Sequence, residues 1–588
     1  MNGSVDAVTS AGEPGRSTET RPTGQKVRAP LPDGADPLRG ARSGPTVADA
    51  IAGVLVAAGL DMAFAYPGGG SNLAVVDALG RAGADVVLTR AECGAAFMAA
   101  AVSELNGTPG LVLVGLGPGA ANVVNGAAYA YLDRVPIVFL ADAYGPDEAA
   151  TTTHQLIDQR AIFAPIVKQS VLLDPARVAA QVEEAVRLAL AHPRGPVLLE
   201  LSRGVADAPV AGPPAAKVTA ATRAPVAAGR ADLAAELRAS AAVLAAARRP
   251  LILVGLEAVR AVAQSDLVAL AEKLRAPVLA TFKAKGVFPE RHPYFAGLVT
   301  HAAIEAQLLE PADAILGVGL DPVELLPKPW PYAGAFVSLR ACDVMDSYFA
   351  AAASHVGDVG LLVRTLSAAV DEAGTCSEWT PAAVEEVRRA LLERLRVPSP
   401  DESPASWEIV EAALAGASAD VIVTVDAGAH MFPASWFCPS PAPGRFLMSN
   451  GLSTMGYAVP AAVGAALARP GSQVLAFTGD GGALLHGAEL ETAVRVGVSL
   501  VVVVLNDSSL SLIRVKQADR GLDRAAVDFG AVDFARLAES LGARGMRAET
   551  PAAVRAAVRD AFAAGGVVLV EAPLSGADYQ EITRRIRG

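Results

Sequence analysis

From Thr46 onward the chain alternates short apolar runs with stretches whose apolar positions recur at helical spacing. Val47, Ile51, Leu55 and Val56 fit one face of a helix. Apolar runs follow at 61–66, 86–89, 111–114, 137–140 and 197–201, with helical stretches between them that end near residues 105 and 132. Strands that are apolar throughout, separated by helices, predict a parallel sheet covered on both faces. A second set starts at 250–254 and continues at 277–280, 314–318 and 336–339. A third comprises 421–425, 474–477, 500–505 and 567–571. The pattern therefore predicts three doubly wound α/β units, at 46–215, 228–372 and 400–588. The Pro- and Ala-rich stretch 207–228 reads as a linker. A softer break spans 372–404, with a helix at 382–396 and a Pro-rich tail at 397–404. Residues 1–45 are rich in Gly, Pro, Ser, Thr, Arg and Asp and are expected to form a disordered extension.

Composition narrows the class. Hydrophobic residues make up 52% and charged ones 19%, enough for large cores. Alanine accounts for much of that share, and no apolar run is long enough for a signal peptide or a membrane span. The expectation is a cytoplasmic protein without a membrane partner. A net charge of −12 argues against a nucleic-acid partner, which wants a basic face. Cys93, Cys342, Cys376 and Cys438 form no CxxC pair, so neither a zinc ribbon nor a disulfide framework is indicated.

The stretch 477–514 carries the densest chemistry. An apolar run ends in Gly479-Asp480-Gly481-Gly482. An amphipathic stretch follows, with Leu484, Leu485, Ala488, Leu490 and Val494 at helical spacing, and the β-branched run 500–505 then stops at Asn506-Asp507. Strand, helix and strand put both acidic turns at the carboxyl ends of neighbouring parallel strands, where open sheets bind ligands. The glycines admit a phosphate close to the backbone, and the helix start turns amides toward it. Asp480 and Asp507 can hold a hard divalent cation through oxygen. Together they point to a diphosphate site. A competing pattern reads G-x-G-x-x-A at 115–120, with Asp142 after the next strand, as in a dinucleotide fingerprint. That alternative implies a nicotinamide-dependent oxidoreductase.

The stretch around Asp480 resembles the cofactor signature of thiamine diphosphate enzymes, a GDG followed after a spacer in the mid-twenties by an Asn pair. Here residues 482–505 are the spacer, 505 − 482 + 1 = 24 positions. Asp507 replaces the second Asn, a substitution known in catabolic acetolactate synthases. The resemblance implies thiamine diphosphate and magnesium, with Asp480, Asp507 and the backbone carbonyl of Ser509 as metal ligands. Gly479, Gly481 and Gly482 would line the diphosphate. Thr89-Arg-Ala-Glu92-Cys-Gly-Ala is similar to the family's R-x-E-x-G-A segment. Glu92 would be the carboxyl group beside the aminopyrimidine, helping the thiazolium carbon lose its proton.

Other segments match the flavin-free acetolactate synthase-like group over about residues 46–588. Gly68 lies in its YPGG turn, and Asn122 closes its GPGxxN loop. His154-Gln155-x-x-Asp158, followed by Phe163-Ala-Pro165 and Lys168, resembles its HQ-x-x-D segment. The resemblance implies catalytic roles for Gln155 at the reactive face and His154 in proton transfer, with Lys168 near the substrate channel. Gly319-Leu-Asp321-Pro-Val-Glu324 stands where flavin-binding synthases carry Arg-Phe-Asp-Asp-Arg, so FAD is not expected. Asp426-Ala-Gly428-Ala429-His430 is similar to the D-x-G-Q-H turn, with Ala429 in place of Gln, so Gly428 and His430 would approach the diphosphate. Gly451-Leu-Ser453-Thr-Met455-Gly456 resembles GLGTMG. Met455 would be the wedge that bends the cofactor, and the Ser453 carbonyl would accept from its exocyclic amine. Ser453 replaces a Gly, which requires backbone angles that tolerate a side chain. The implied activity is decarboxylation of pyruvate or a related 2-oxo acid, with ligation to a second 2-oxo acid or an aldehyde. Decarboxylation without ligation is the alternative. The group further implies a homodimer or homotetramer with active sites between chains.

Overall fold

A computed structural model describes residues 44–210, 231–343 and 348–588. The expected extension at 1–45, apart from its last two residues, and most of the expected linker at 207–228 lie outside the described residues. Among the described residues the chain builds three six-stranded sheets in which every pairing is parallel.

The first sheet contains β1 (Met62–Tyr66), β2 (Asp85–Leu88), β3 (Gly110–Val114), β4 (Ile137–Ala143), β5 (Ser170–Leu172) and β6 (Val197–Ser202), in the order β2-β1-β3-β4-β6-β5. The second contains β7 (Pro250–Val254), β8 (Val278–Ala280), β9 (Phe295–Leu298), β10 (Ala314–Val318), β11 (Ala335–Arg340) and β12 (Ala353–Val356), in the order β12-β11-β10-β7-β8-β9. The third contains β13 (Ile422–Val425), β14 (Phe446–Met448), β15 (Val474–Gly479), β16 (Leu500–Asn506), β17 (Arg544–Arg547) and β18 (Val567–Pro573), in the order β14-β13-β15-β16-β18-β17. Each sheet has an inner reversal point, where chains leave adjacent strands in opposite directions: β1/β3, β7/β10 and β13/β15. Chains leaving two such strands diverge to opposite faces, and the crevice between them is where a ligand fits.

The first and third sheets meet through the helices Glu92–Asn106 and Ala458–Ala468. Small residues let them approach: a methyl added at Gly464 would collide with the Met98 backbone. Phe97, Met98, Tyr129, Tyr457 and Val463 share one apolar core across the two units. The central sheet shares a second core with the third unit, in which Leu391 and Trp436 lie against Gly297.

One expected helix is two. Asp480–His486 and Glu489–Val496 are separate segments, and the buried face is not the expected one. Leu490 is buried, but Leu484, Leu485, Ala488 and Val494 are exposed. The reason is that the glycine turn must face the sheet end, so Gly481, Gly482 and Ala483 take the inner positions and the two leucines are turned out.

Candidate active site

The reversal point of the third sheet brings two turns together. After β13, Asp426 begins the turn to Gly428 and His430, and after β15, Gly479 leads into Asp480. Asp426 is fully buried and organises the surroundings. Its Oδ1 accepts the backbone N–H groups of Ala427 at 2.9 Å, Gly456 at 2.8 Å and Tyr457 at 3.4 Å. Its Oδ2 accepts the Thr478 hydroxyl at 3.0 Å. One carboxylate thus ties the 426 turn, the segment carrying Met455 and the strand end before Asp480. Burial pushes its pKa up to about 6 against these hydrogen bonds. Gly482 packs onto the same carboxylate, where a methyl would collide with it and lie 2.7 Å from Thr478 Oγ1.

His430 is buried beside this turn, with its ring against Gly428 and 3.1 Å from where a methyl on Gly479 would sit. Burial lowers its pKa to about 4, so the ring is neutral. Its Nε2 has no partner among the described residues, an orphaned buried polar atom that a ligand would satisfy. Met455 closes the other side. A methyl on Gly481 would lie 3.0 Å from Met455 Cε, 3.1 Å from Leu510 Cδ2 and 3.4 Å from Phe529 Cε2. Ser453 adopts φ 52°, the left-handed region, and its hydroxyl compensates by donating to the Asn450 carbonyl at 2.8 Å.

Asp480 and Asp507 stand at the ends of β15 and β16, which pair Gly479 with Leu505. Asp480 Oδ1 accepts Gly481 N–H at 2.7 Å and Oδ2 accepts Ser509 N–H at 3.0 Å. Asp507 accepts the Ser511 hydroxyl, and the Arg514 guanidinium is 3.6 Å away. Burial raises both carboxyl pKa values, and the charge of Asp480 helps push Asp507 up to about 7. Two desolvated acids that repel each other, with Arg514 beside Asp507, form a site that a further cation would relieve. The Ser509 carbonyl accepts Ser511 N–H at 2.9 Å with one lone pair and keeps the second. The donor set is all oxygen, as hard divalent cations require.

The reversal point of the first sheet gathers the other named residues. Glu92 is the first residue of its helix and is 8% exposed. Its Oε2 accepts Asn122 Nδ2 at 3.4 Å, and its Oε1 is 3.5 Å from a methyl placed on Gly119. Gly68 and Gly115 touch, with 3.1 Å between a methyl on the first and the Cα of the second. The loop at Gly117 meets the Gln155 backbone. Gln155 and His154 are exposed in the segment before the helix Gln159–Phe163, and the His154 carbonyl accepts the Tyr144 hydroxyl at 2.9 Å. Beside them lies a cavity of about 210 Å³ lined by Leu116, Tyr144, Ile157, Gln159, Arg160 and Glu200.

Two residues that the sequence reading did not single out hold this half in place. Glu489 is 1% exposed, and its Oε1 accepts the N–H groups of Arg90 at 3.0 Å and Ala91 at 3.1 Å. A third-unit carboxylate therefore caps the start of the Glu92 helix. Gln159 accepts Gly117 N–H at 2.9 Å and donates to the Asp142 carbonyl at 3.1 Å. Each is the first residue of its helix, in the polar sequences ELETAVRV and QRAIF, so no local pattern sets them apart.

Lys168 and Asp142 both take structural places. Lys168 donates to the Leu188 and Ala191 carbonyls, at 2.6 and 2.5 Å, so it closes the end of the helix Val178–Leu190. Helix ends leave carbonyls that attract a cation, which accounts for these two hydrogen bonds. Asp142 Oδ1 accepts Asn72 N–H at 2.8 Å and its Oδ2 lies under Gly68 and Gly70. The dinucleotide pattern at 115–120 thereby loses its acidic partner for a ribose. The reversal point of the central sheet is also closed, because methyls on Gly255 and Gly319 would each lie 2.5 Å from the facing backbone.

Within the chain the structure assembles two groups. Glu92, Asn122, Gly68, Gly117 and Gln155 form one. Gly428, His430, Met455, Gly479, Asp480, Gly481, Gly482, Asp507 and Ser509 form the other. Among the described residues, no hydrogen bond or ion pair joins the Glu92 carboxylate to the Asp480 group.

Comparison with known proteins places these groups in context. Residues 45–162 match the thiamine pyrophosphate enzyme N-terminal TPP binding domain, 237–366 the central domain and 426–572 the C-terminal TPP binding domain. An acetolactate synthase of Bacillus subtilis is 32% identical over 540 residues, covering 90% of this chain and 93% of that protein. A catabolic acetolactate synthase of Raoultella terrigena is 30% identical over 547 residues, covering 91% and 95%. A probable 2-ketoarginine decarboxylase of Pseudomonas aeruginosa is 30% identical over 544 residues, covering 90% and 93%. The solved structure of the Rhodococcus jostii RHA1 thiamine diphosphate-dependent 4-hydroxybenzoylformate decarboxylase superposes with a TM-score of 0.78 at 23% identity, covering 90% of this chain and 99% of that one. That last likeness concerns the fold.

Proposed function

The chain belongs to the thiamine pyrophosphate enzyme family, and from that membership we propose an acetolactate synthase-like activity. The enzyme removes carbon dioxide from pyruvate or a related 2-oxo acid and joins the remaining fragment to a second 2-oxo acid or an aldehyde. The observation that carries this reading is the pair of buried acids, Asp480 and Asp507, at adjacent strand ends beside a glycine turn and the orphaned His430 Nε2.

Thiamine diphosphate, when bound, supplies the carbon nucleophile and the electron sink that 2-oxo acid decarboxylation needs. Asp480, Asp507 and the Ser509 carbonyl would hold magnesium, whose charge would relieve the repulsion between the acids. Gly428, His430, Gly479, Gly481 and Gly482 accommodate the diphosphate, since none presents a side chain that would block it except the imidazole itself. Met455, near Leu510 and Phe529 around Gly481, would supply an apolar surface for the cofactor rings. The Ser453 carbonyl, presented by its left-handed backbone, would accept from the exocyclic amine. Glu92, hydrogen-bonded to Asn122, would hold and pass the proton at its carboxyl group. Gln155 and His154, in the segment that packs on Gly117, would face the substrate.

The lack, among the described residues, of a hydrogen bond or ion pair between Glu92 and the Asp480 group fits a homodimer, or a tetramer of two dimers, in which each site takes Glu92 from one protomer and Asp480 from its partner. Exposed Leu484 and Leu485, next to the glycine turn, are the apolar surface such a partner would cover. The closed reversal point of the central sheet supports a flavin-free enzyme.

The test is product analysis. Protein with thiamine diphosphate and magnesium is given pyruvate, then a panel of larger 2-oxo acids, and carbon dioxide and organic products are quantified. Acetolactate, or a ligated homologue, supports the proposal. Aldehyde as the sole product would reassign the enzyme to simple decarboxylation, and no turnover of any 2-oxo acid would refute the reading.

A further inference from the structure

Lys283 carries a largely buried side chain that the chemistry above does not use. It lies just beyond β8 in the central unit, with 6% of its side chain exposed, and it reaches between the other two units. Its Nζ donates to Glu104 Oε2 at 2.6 Å and to the Met448 carbonyl at 3.2 Å, and it lies 3.7 Å from Asp133 Oδ1. Burial works against the charge, but Glu104 and Asp133 outweigh it and hold the ammonium above the usual lysine value.

What these partners do is specific. Glu104 is on the same helix as Glu92, one end of which it fixes, and it also accepts the Tyr129 hydroxyl at 2.7 Å. Asp133 has no exposed side-chain surface, and it accepts Asn450 N–H at 2.8 Å and Leu452 N–H at 3.4 Å. Asn450 in turn accepts the Ser453 hydroxyl through its carbonyl, and its side chain donates to the Glu324 carbonyl of the central unit at 3.2 Å. Met448, Asn450, Leu452 and Ser453 lead directly to Met455. One cation therefore touches both the helix that begins with Glu92 and the loop that presents Ser453 and Met455.

We propose that Lys283 is a positioning residue that holds the loop 449–456 through Asp133 and the Glu92 helix through Glu104, so that one ammonium of the central unit sets the loop of one cofactor seat and, in the dimer proposed above, the helix that carries Glu92 into the other. The inference rests on the thiamine diphosphate reading above. Removal of the ammonium leaves Asp133 buried beside Glu104 with no countercharge, and the loop hydrogen bonds of Asp133 are the ones that must adjust. The diphosphate end, held at Asp480 and Asp507, is far less dependent on Lys283. Ring placement and cofactor affinity should separate accordingly.

The experiment uses the full-length protein with thiamine diphosphate and magnesium, comparing the parent with Lys283→Met and Lys283→Arg. Cofactor affinity is read by calorimetry, ring placement by the near-ultraviolet circular dichroism of the bound cofactor, and chemistry by exchange of the thiazolium proton with deuterated solvent. Lys283→Met should keep affinity within about threefold. Its exchange rate should fall at least about tenfold, since misplacement of reacting groups by an ångström is costly. The dichroism of the bound cofactor should change as well. Lys283→Arg, which keeps the charge, should recover most of both signals. A folded Lys283→Met with exchange and dichroism like the parent would overturn the inference. So would an equal loss of affinity and rate that Lys283→Arg does not rescue, the mark of a merely structural residue. If Lys283→Met does not fold, Glu104→Gln with Lys283→Met removes the ion pair together, and slow exchange at retained affinity in that variant supports the proposal. Failure of both to fold would overturn it. A parent that binds no thiamine diphosphate would refute the function itself, whereas a normal parent with an indifferent Lys283→Met refutes this inference alone.

Discussion

Removal of the Asp426 carboxylate should loosen the diphosphate-side group as a unit. The carboxylate is fully buried and receives four hydrogen bonds, from Ala427, Gly456, Tyr457 and Thr478. In Asp426→Ala the Thr478 hydroxyl can turn to the Gly479 carbonyl, which it already approaches at 3.1 Å. The 3.4 Å contact with Tyr457 is the weakest. Two buried backbone N–H groups, Ala427 and Gly456, then have no acceptor. At about 1–3 kcal/mol for each buried donor left unpaired, the loss is roughly 2–6 kcal/mol. For a unit of this size that lowers the melting temperature by about 4–24 °C. Asp426→Asn is the control. Its amide oxygen still accepts from Ala427 and Gly456, and its amide nitrogen can donate to Thr478 Oγ1, so it should cost no more than about 1–2 kcal/mol. Thermal melting of the cofactor-free protein measures both, and calorimetry measures thiamine diphosphate binding. Asp426→Ala should melt well below Asp426→Asn and bind cofactor worse. Equal melting of the two variants would refute the reasoning, because it would mean the four hydrogen bonds do not hold the turns together.

Three further outcomes follow from the same geometry. Inactive Glu92→Gln mixed with inactive Asp480→Ala should regain about a quarter of parent activity, since half the dimers are hybrids with one intact site of two; no recovery after verified subunit exchange would place the site within one chain. Magnesium affinity should weaken by about one decade per pH unit below about 7, because burial and Asp480 hold the Asp507 proton on to that pH and the cation must displace it; calorimetry between pH 5.5 and about 8 showing a flat profile would exclude Asp507 as a ligand. Gly482→Ala should abolish cofactor binding without altering the central unit, because its methyl collides with the Asp426 carboxylate, and binding retained within about threefold would contradict the packing of that turn.

Much of the architecture was legible because a parallel sheet buried on both faces writes its inner strands as unbroken apolar runs. All the expected strands occur. The unexpected ones, β5, β9, β12, β14 and β17, are all sheet edges. Edge strands are short and need only one paired side, so their sequences are mixed: Ser170–Leu172 is only half-buried, and Arg544–Arg547 carries two arginines. The glycine turns and Asp480 were visible because backbone approach restricts residue type. The residues that hold the site were not. Asp426 stood in a matched turn without a role, and Glu489 and Lys283 act across units, where no local spacing relates them to Arg90 or Asn450. The helix face of Leu484 and Leu485 misled for a physical reason: apolar periodicity marks a surface that becomes buried, and in the single chain that surface is exposed.

In the proposed chemistry Glu92 is the group that moves the proton. Exchange of the thiazolium proton of thiamine diphosphate with deuterated solvent, followed by acid quench and proton NMR, isolates that step from any choice of substrate. The parent protein with magnesium should accelerate exchange over the free cofactor. Glu92→Gln should keep cofactor affinity within about tenfold, a change of about 1.4 kcal/mol. Its exchange should slow by about a hundredfold or more, as loss of general acid–base help demands. Exchange in Glu92→Gln as fast as in the parent would contradict the account and leave Glu92 as the start of a helix.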